Sequence, residues 1–196
     1  MSVGYNMSNY YDVNSKEYIE NTINCDMKMH YQKFLKYLPE KGKILDIGFG
    51  SGRDMIYFKS LGYEVYGIDT SIEFVNNMKL KGFNVKKEAV EQINDDNIYD
   101  GIWACASLVH VRRENLEEVI KKCIKALNKN GILYCSFKYG DKEVKGERYF
   151  NYINENIINK IIDKNNLSIL EMYKSFDVRK DRNNEEWLNI IIKSKD

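Results

Sequence analysis

The sequence contains one proline, Pro39, and two histidines, His30 and His110, in 196 residues. Its four cysteines form no Cys-x-x-Cys pair, so a Cys/His zinc site of the usual spacing is not expected. No apolar run approaches the length of a membrane-spanning helix, and the polar, tyrosine-rich N-terminus lacks the apolar core of a signal peptide. These absences predict a cytoplasmic protein with reduced thiols, no metal and no membrane partner.

An excess of charge of either sign is also absent. The chain has 30 Lys and Arg residues against 29 Asp and Glu residues, which gives a net charge of +1. This balance provides no overall attraction to nucleic acid or to an anionic membrane. Hydrophobic residues make up 43% of the chain, and its length suits one α/β domain rather than two. We therefore expect a single domain over residues 1–196.

Glycine is concentrated at one place in the N-terminal half of the chain. A short apolar run at residues 44–47 ends in three glycines at alternate positions, Gly48, Gly50 and Gly52, and residues 53–62 have the apolar spacing of a helix. This pattern predicts a buried strand, a glycine turn and a helix. Glycine permits positive φ and lets a ligand approach the backbone, and free N–H groups at a helix start favour an anionic or polar ligand group.

A second apolar run, Glu64–Asp69, follows this helix and ends in an acid. In a βαβ nucleotide site, an acid at the end of the second strand accepts hydrogen bonds from ribose hydroxyls. The glycine turn, the helix, the strand and its terminal acid together predict a cofactor that contains a nucleoside.

The segment 46–52 (Asp-Ile-Gly-Phe-Gly-Ser-Gly), together with Asp69, resembles motif I and the following acidic position of class I S-adenosylmethionine-dependent methyltransferases. The resemblance runs from about Tyr11 to Lys193, and it extends to the small bacterial enzymes of the tellurite-resistance type, which often carry Gly-Ser-Gly-Arg-Asp in this turn. It implies S-adenosylmethionine as cofactor and methyl transfer to a small-molecule or peptide acceptor. It also implies a doubly wound, mostly parallel seven-stranded Rossmann-like sheet of order 3-2-1-4-5-7-6, with the last strand antiparallel.

The rest of the chain fits this organisation. Residues 1–10 are polar. The N-terminal lid helices are assigned to residues 1–38, and their helical pattern breaks near residues 22–26. The Rossmann-like core is predicted over residues 43–193. The polar segment 138–148 is predicted to be a loop, either a solvated connector or part of the acceptor site. Further strands are predicted at 83–87, 99–106, 132–137, 167–178 and 187–193, and further helices at 71–80, 114–127 and 154–165.

The resemblance places the cofactor along the carboxyl ends of the first four strands and under a lid tyrosine. The acid that the family usually places on the adenine amino group aligns with Ala89, which departs from the pattern. Either Glu88 takes this role after a shift of one residue, or the backbone of Ala89 and Val90 holds the adenine. The full predicted set of cofactor residues is Gly48, Phe49, Gly50, Gly52, Arg53, Asp69, Thr70, Glu88, Ala89, Val90, Cys105, Ala106 and Tyr18.

The acceptor pocket is predicted from the lid helices, residues 107–111 and residues 138–150, which leave or cover the carboxyl ends of strands. Their cationic and aromatic side chains suit a small acceptor with an anionic group and an apolar body; the predicted acceptor residues are Tyr11, Lys138, Tyr139, Arg148, Tyr149 and Phe150. His110 is the predicted catalytic residue, as a general base that ionises near neutral pH or as a group that orients the acceptor. The alternative is a histidine at a helix start that is bonded to the backbone.

Several residues also argue against other functions. Cytosine-C5 methyltransferases place their cysteine directly after proline, but Pro39 precedes Glu40, and amino-methylating DNA enzymes need a Pro-Pro pair. Both observations argue against these classes of nucleic-acid methyltransferase, so a nucleic-acid partner is not expected, although small molecules, peptides and some RNA targets stay open. An NAD(P) oxidoreductase also uses a glycine turn and an acid, but Arg53 stands where its third glycine belongs. A module that binds S-adenosylmethionine without catalysis stays open as a second alternative.

Overall fold

The computed structural model describes residues 7–195, so residues 1–6 of the predicted polar stretch and residue 196 lie outside the described residues. Three helices precede the first strand: α1 (Met7–Val13), α2 (Ser15–Thr22) and α3 (Lys28–Leu35). Strands and helices then alternate as β1 (Lys43–Ile47), α4 (Arg53–Ser60), β2 (Glu64–Asp69), α5 (Ile72–Leu80), β3 (Asn84–Lys87), β4 (Tyr99–Ala104), α6 (Arg113–Ala126) and β5 (Leu127–Lys138). The C-terminal part contains β6 (Glu143–Lys145), β7 (Tyr149–Asn151), α7 (Glu155–Lys164), β8 (Leu167–Phe176) and β9 (Glu186–Ser194).

Seven of these strands form one sheet in the order β3-β2-β1-β4-β5-β9-β8. The pairs β3–β2, β2–β1, β1–β4 and β4–β5 are parallel, whereas β9 is antiparallel to both β5 and β8. Counted within this sheet alone, the order is 3-2-1-4-5-7-6 with an antiparallel last strand. The predicted fold class and strand order are therefore confirmed.

Helices cover both faces of the sheet. One face packs against α3, α4 and α5, and the other packs against α6 and α7. Trp103 of β4 and Tyr134 of β5 stack with ring centroids 3.9 Å apart beneath Phe34 of α3, and all three side chains are buried. The apolar positions of each helix recur at helical spacing, so burial of these stripes fixes which face each helix covers.

The segment 138–148 differs from the predicted loop because β6 lies within it and pairs with β7 as a two-stranded hairpin. All three residues of β6 are exposed, so the strand has no apolar alternation that the sequence could reveal. The guanidinium of Arg113 holds the hairpin by donating to the carbonyls of Asp141 at 2.8 Å and Tyr152 at 2.6 Å, and to Oδ1 of Asn151 at 2.9 Å. This bonding fixes the hairpin beside the start of α6.

The N-terminal helices lie near the carboxyl edge of the sheet. The hydroxyl of Ser71, which caps α5, donates to Oδ1 of Asp12 in α1 at 2.6 Å. The ring of Tyr11 also contacts Phe74 of α5, with centroids 6.0 Å apart. Across residues 7–195, the helices are too short or too polar to span a membrane.

Candidate functional site

The turn between β1 and α4 is shaped by glycines with positive φ. Gly48 has φ of 67° and Gly50 has φ of 51°, which L side chains rarely adopt. A Cβ on Gly48 would lie 2.6 Å from Cβ of Ser107, and a Cβ on Gly50 would lie 2.8 Å from Cε1 of Tyr18. The positive φ and the close contacts therefore both require glycine at these two positions. The turn packs against Ser107 in the segment after β4 and against Tyr18 of α2.

Asp69 is fixed at the end of β2 by backbone amides. Its Oδ2 accepts from the amide of Gly50 at 3.0 Å, and its Oδ1 accepts from the amide of Ser71 at 2.8 Å. Burial raises the pKa of Asp69 to about 6, although the bonds from these amides and that of Thr70 oppose the shift. The carboxylate is ionised at neutral pH and stands beside the glycine turn.

A cavity, the glycine-turn cavity, opens next to Asp69. Its walls come from the glycine turn, the end of β2, the segment after β3 and the segment after β4. Eight of the predicted cofactor residues line it: Tyr18, Gly48, Gly50, Asp69, Thr70, Glu88, Val90 and Ala106. These eight residues are half of the cavity lining.

A second cavity, the arginine cavity, is lined by Arg53, Arg148, Arg179, Arg182 and further residues of the lid, β5 and the β8–β9 connection. The two cavities meet, because Tyr11, Tyr18, Ala106 and His110 line both of them. The predicted cofactor residues Arg53 and Cys105 lie in the arginine cavity.

Three predicted cofactor residues are placed outside the linings of these two cavities. Phe49 is buried, and its ring packs so closely on Gly67 that a Cβ added to Gly67 would lie 2.7 Å from Cδ1 of Phe49. Gly52 is packed against Met78, and the amide of Ala89 donates to Oε1 of Gln92 at 3.1 Å. These three residues shape the surrounding backbone, and their contact with a cofactor stays a prediction.

Buried charges lie beneath the glycine turn. Nε of Arg53 is 2.6 Å from Oδ1 of Asp54, and Asp54 also accepts from the hydroxyl of Tyr31 at 2.5 Å and from Nε1 of Trp103 at 2.8 Å. Although burial raises the pKa of Asp54, the charge of Arg53 and these bonds lower it overall. Asp54 is therefore a carboxylate that holds Arg53 in place.

Asp46 of β1, two residues before Gly48, was given no role by the sequence reasoning. Its side chain is buried, and among the described residues its Oδ2 has no hydrogen-bond partner. Burial, followed by the charge of Asp54, raises the pKa of Asp46 well above its ordinary value. The hydroxyl of Ser107, which lines the glycine-turn cavity, is also buried without a partner in the described part of the chain. Unsatisfied buried polar atoms are rare, so both atoms are candidates for a hydrogen bond to a ligand.

His110 is held from both sides at the junction of the two cavities. Its Nδ1 lies 2.7 Å from the carbonyl oxygen of Tyr149, so this nitrogen carries the hydrogen and Nε2 is the acceptor. The hydroxyl of Tyr11 donates to Nε2 at 3.0 Å and accepts from Nη1 of Arg148 at 3.4 Å. Burial lowers the pKa of His110 to about 4, so the ring is neutral at pH 7. The backbone hydrogen bond that we considered as the alternative role for His110 is therefore present at Nδ1. Nε2 is bonded to Tyr11, which lines both cavities.

The predicted acceptor residues divide into two groups. Tyr11, Lys138, Arg148 and Phe150 line the arginine cavity. Tyr139 donates its hydroxyl to Oε2 of Glu155 at 3.1 Å, and Tyr149 donates its hydroxyl to Glu143, so neither belongs to the described linings. Tyr149 contributes its carbonyl to His110 instead.

Part of the arginine cavity comes from residues that the sequence reasoning left unassigned. They lie on α3, on β9 and on the connection from β8 to β9, and they include His30, Asp177, Arg179, Arg182 and Trp187. The only available signal was the charge of the polar connection. Cys105 also lines this cavity, but burial raises its thiol pKa to about 12, so it stays a neutral thiol.

Residues 45–135 match the protein family described as Methyltransferase domain. The chain is 35% identical over 95 residues to the probable S-adenosyl-L-methionine-dependent methyltransferase TehB of Haemophilus influenzae. The aligned region covers 45% of this chain and 33% of that protein. It is 29% identical over 132 residues to phosphoethanolamine N-methyltransferase of Plasmodium falciparum, covering 60% of this chain and 47% of that protein. The chain thus spans between a third and about half the length of these curated relatives.

A solved structure shares the fold over almost the whole chain. It is 1,6-didemethyltoxoflavin-N1-methyltransferase of Burkholderia thailandensis with bound 1,6-didemethyltoxoflavin and S-adenosylhomocysteine. The TM-score is 0.77 at 16% identity, and the match covers 96% of this chain and 85% of the other. At this identity, the likeness concerns the fold alone.

Proposed function

We propose that this chain, a member of the class I S-adenosylmethionine-dependent methyltransferases, binds S-adenosylmethionine and transfers its methyl group to a small molecule. The observation that carries the proposal is the position of Asp69, held by the amide of Gly50 beside the glycine-turn cavity. A buried acid in this place suits the ribose hydroxyls of a nucleoside cofactor. The match of residues 45–135 to the methyltransferase family supports the same conclusion.

The adenosine part of the cofactor fits the glycine-turn cavity. Asp69 would accept from the ribose hydroxyls, and Glu88 and Val90 would border the adenine, since both line the cavity. The amide of Ala89 already donates to Gln92, which favours Glu88 and Val90 over the backbone N–H of Ala89 as adenine partners. The departure of Ala89 from the family pattern is thus compatible with adenine binding.

The methionine part would complete the buried polar groups beneath the turn. The unpartnered Oδ2 of Asp46 suits the α-ammonium group, because that cation would favour the ionised carboxyl over the protonated form that burial favours in the free protein. Arg53, anchored by Asp54 and lining the arginine cavity, suits the α-carboxylate. This donor set matches a zwitterionic amino acid.

S-adenosylmethionine supplies a methyl group already activated on a sulfonium, so no further activating cofactor is needed. The protein's task is to align the acceptor and to exclude water. Tyr11 and Tyr18 of the lid border both cavities, so they are placed to cover the junction. An acceptor atom that loses a proton as its lone pair bonds the methyl carbon could pass that proton to Nε2 of His110, which is neutral there.

The NAD(P) oxidoreductase alternative has no comparable support. Arg53, at the position of its third glycine, is a half-buried ion-pair partner of Asp54 rather than a point of close backbone approach. The methyltransferase interpretation uses this arginine, whereas the dehydrogenase interpretation does not.

The proposal is tested by incubating the protein with methyl-deuterated S-adenosylmethionine and a panel of amines, thiols, carboxylates and tellurite. Mass spectrometry then follows S-adenosylhomocysteine and labelled products. We expect at least one acceptor to give a labelled product with the wild-type protein and much less with Asp69→Asn. If every acceptor gives only the level seen without protein, methyl transfer to these classes is wrong.

A further inference from the structure

The cationic side chains of the arginine cavity are unequally neutralised. Five of them line the cavity, and four have a carboxylate within 4 Å: Arg53–Asp54 at 2.6 Å, Lys138–Glu185 at 2.6 Å, Arg179–Asp177 at 2.6 Å and Arg182–Asp181 at 3.7 Å. Within residues 9–195, the fifth, Arg148, has no carboxylate in that range. The cavity therefore holds one cation without a matching anion.

Aromatic rings hold Arg148 in place. Its Cζ lies 4.6 Å from the ring centroid of Tyr10 and 5.0 Å from that of Phe150. Rings at these distances stabilise a guanidinium and limit its orientations. Its polar contact is the hydroxyl of Tyr11 at 3.4 Å, a long hydrogen bond to a neutral group. A carboxylate would be a stronger partner than this hydroxyl.

Arg148 and His110 face the same spot. Both bond to one atom, the hydroxyl oxygen of Tyr11, and Tyr11 lies where the two cavities meet. A molecule that displaces this hydroxyl can place a charged group on Arg148 with its reacting part close to the junction. The arginine cavity also has an apolar and aromatic part of its lining, which includes Met27, Phe176 and Trp187.

Charge strengthens the requirement for an anion. A bound cofactor with a sulfonium group would add a further positive charge to these joined cavities, and like charges in a partly buried site repel each other. An anionic acceptor removes this repulsion, whereas a cationic acceptor increases it.

From these contacts we infer that the methyl acceptor is a small aromatic or apolar molecule with a carboxylate, and that Arg148 binds the carboxylate in place of the Tyr11 hydroxyl. The inference rests on the proposed function, because it names the acceptor class of that site. It makes Arg148 the residue that selects the acceptor, with no part in cofactor binding.

The test compares pairs of probes that differ only in charge. The protein is saturated with S-adenosylhomocysteine, and binding of benzoate against benzamide, and of indole-3-acetate against indole-3-acetamide, is measured by titration calorimetry. In at least one pair we expect the carboxylate to bind about tenfold more tightly than the amide, as for a hydrogen bond to a charged group. Arg148→Gln should reduce this ratio to below about twofold, and Arg148→Lys, which keeps the charge, should retain part of it.

Arg112→Gln is the matched control, because Arg112 is an exposed arginine outside both cavity linings. It should keep the full preference for the carboxylate. The inference is overturned if S-adenosylhomocysteine binds but no pair prefers the carboxylate, or if Arg148→Gln keeps the preference. A failure of S-adenosylhomocysteine itself to bind would instead contradict the proposed function.

Discussion

The carboxylate oxygen Oδ2 of Asp69 lies 3.0 Å from the amide nitrogen of Gly50, so the acid at the end of β2 accepts a hydrogen bond from the turn after β1. Gly48 reinforces the same link, because its amide donates to the carbonyl of Ile68 at 2.7 Å. The two parallel strands are thus tied together where they end. A ligand in the glycine-turn cavity would therefore contact the glycine turn and Asp69 together, because both line the cavity.

Asp69 should make cofactor affinity depend on pH. Burial raises its pKa to about 6 in the free protein, and only the ionised form accepts hydrogen bonds from both ribose hydroxyls. At about pH 5 roughly a tenth of the carboxyl is ionised, so affinity for S-adenosylhomocysteine should fall about tenfold from its value at about pH 7.5. Titration calorimetry at the two pH values measures the ratio.

Asp69→Asn is the control for this effect, because an amide does not titrate in the range. It should weaken binding at about pH 7.5 by roughly 1–3 kcal/mol and remove most of the pH dependence. An unchanged pH dependence in Asp69→Asn would assign the titration to another group.

Asp46→Asn should separate stability from affinity. The carboxyl of Asp46 is buried with an unpartnered oxygen, and burial raises its pKa. Replacing it with an amide of the same size should therefore leave the melting temperature unchanged or higher. Affinity for S-adenosylhomocysteine should fall by about tenfold or more, because the α-ammonium group loses a charged partner. Equal affinity in the variant and the wild type would remove Asp46 from the cofactor site.

Gly50→Ala and Gly82→Ala form a matched pair. Both glycines have positive φ, 51° and 74°, so both substitutions should cost about 1–2 kcal/mol of backbone strain. A Cβ at Gly50 would also lie 2.8 Å from Cε1 of Tyr18, whereas a Cβ at Gly82 meets nothing within 4 Å. Only Gly50→Ala should displace the lid tyrosine and weaken S-adenosylhomocysteine binding. Equal affinities in the two variants would show that this approach of Tyr18 has no role in binding.

His110 should lower the stability of the protein in acid. Its folded pKa is about 4 against an ordinary 6.5, because burial disfavours the charged ring. The folded state therefore binds fewer protons between these values, and the contribution is complete above pH 6.5 and is lost as the pH falls towards about 4. The drop in melting temperature from about pH 7 to about pH 4.5 should be smaller in His110→Gln than in the wild type.

The same shift changes the expected rate profile. An ionisation of His110 near neutral pH was the sequence-based expectation, but burial moves its pKa to about 4. Any limb of the methyl-transfer rate that His110 controls should lie in that acidic range and be absent in His110→Gln. A limb near pH 7 that disappears in this variant would contradict the buried, neutral ring.

Local patterns were sufficient for the elements that hold the cofactor site. The glycines at alternate positions after an apolar run predicted the turn. The acid at the end of the next run, Asp69, predicted a carboxylate at the end of the second strand. The break in the lid pattern near residues 22–26 matches the gap between α2 and α3. The strand order needed the family resemblance, since periodicity does not say which strands are neighbours.

The acceptor side depends on contacts between distant residues. The hairpin of β6 and β7 is held by Arg113, which lies far from it in sequence, and β6 itself is fully exposed. Arg179 and Trp187 reach the arginine cavity because β9 inserts between β5 and β8. No local pattern encodes such placements. The unpaired oxygen of Asp46 likewise becomes evident only once the packing is known.

The most direct test of the central claim is a calorimetric titration of the wild-type protein with S-adenosylhomocysteine and, separately, with NAD. The glycine turn, Asp69 and Asp46 predict one S-adenosylhomocysteine per chain with a micromolar or lower dissociation constant, and no heat of binding with NAD. Micromolar binding of NAD without binding of S-adenosylhomocysteine would contradict the account and reverse the choice between the two cofactors.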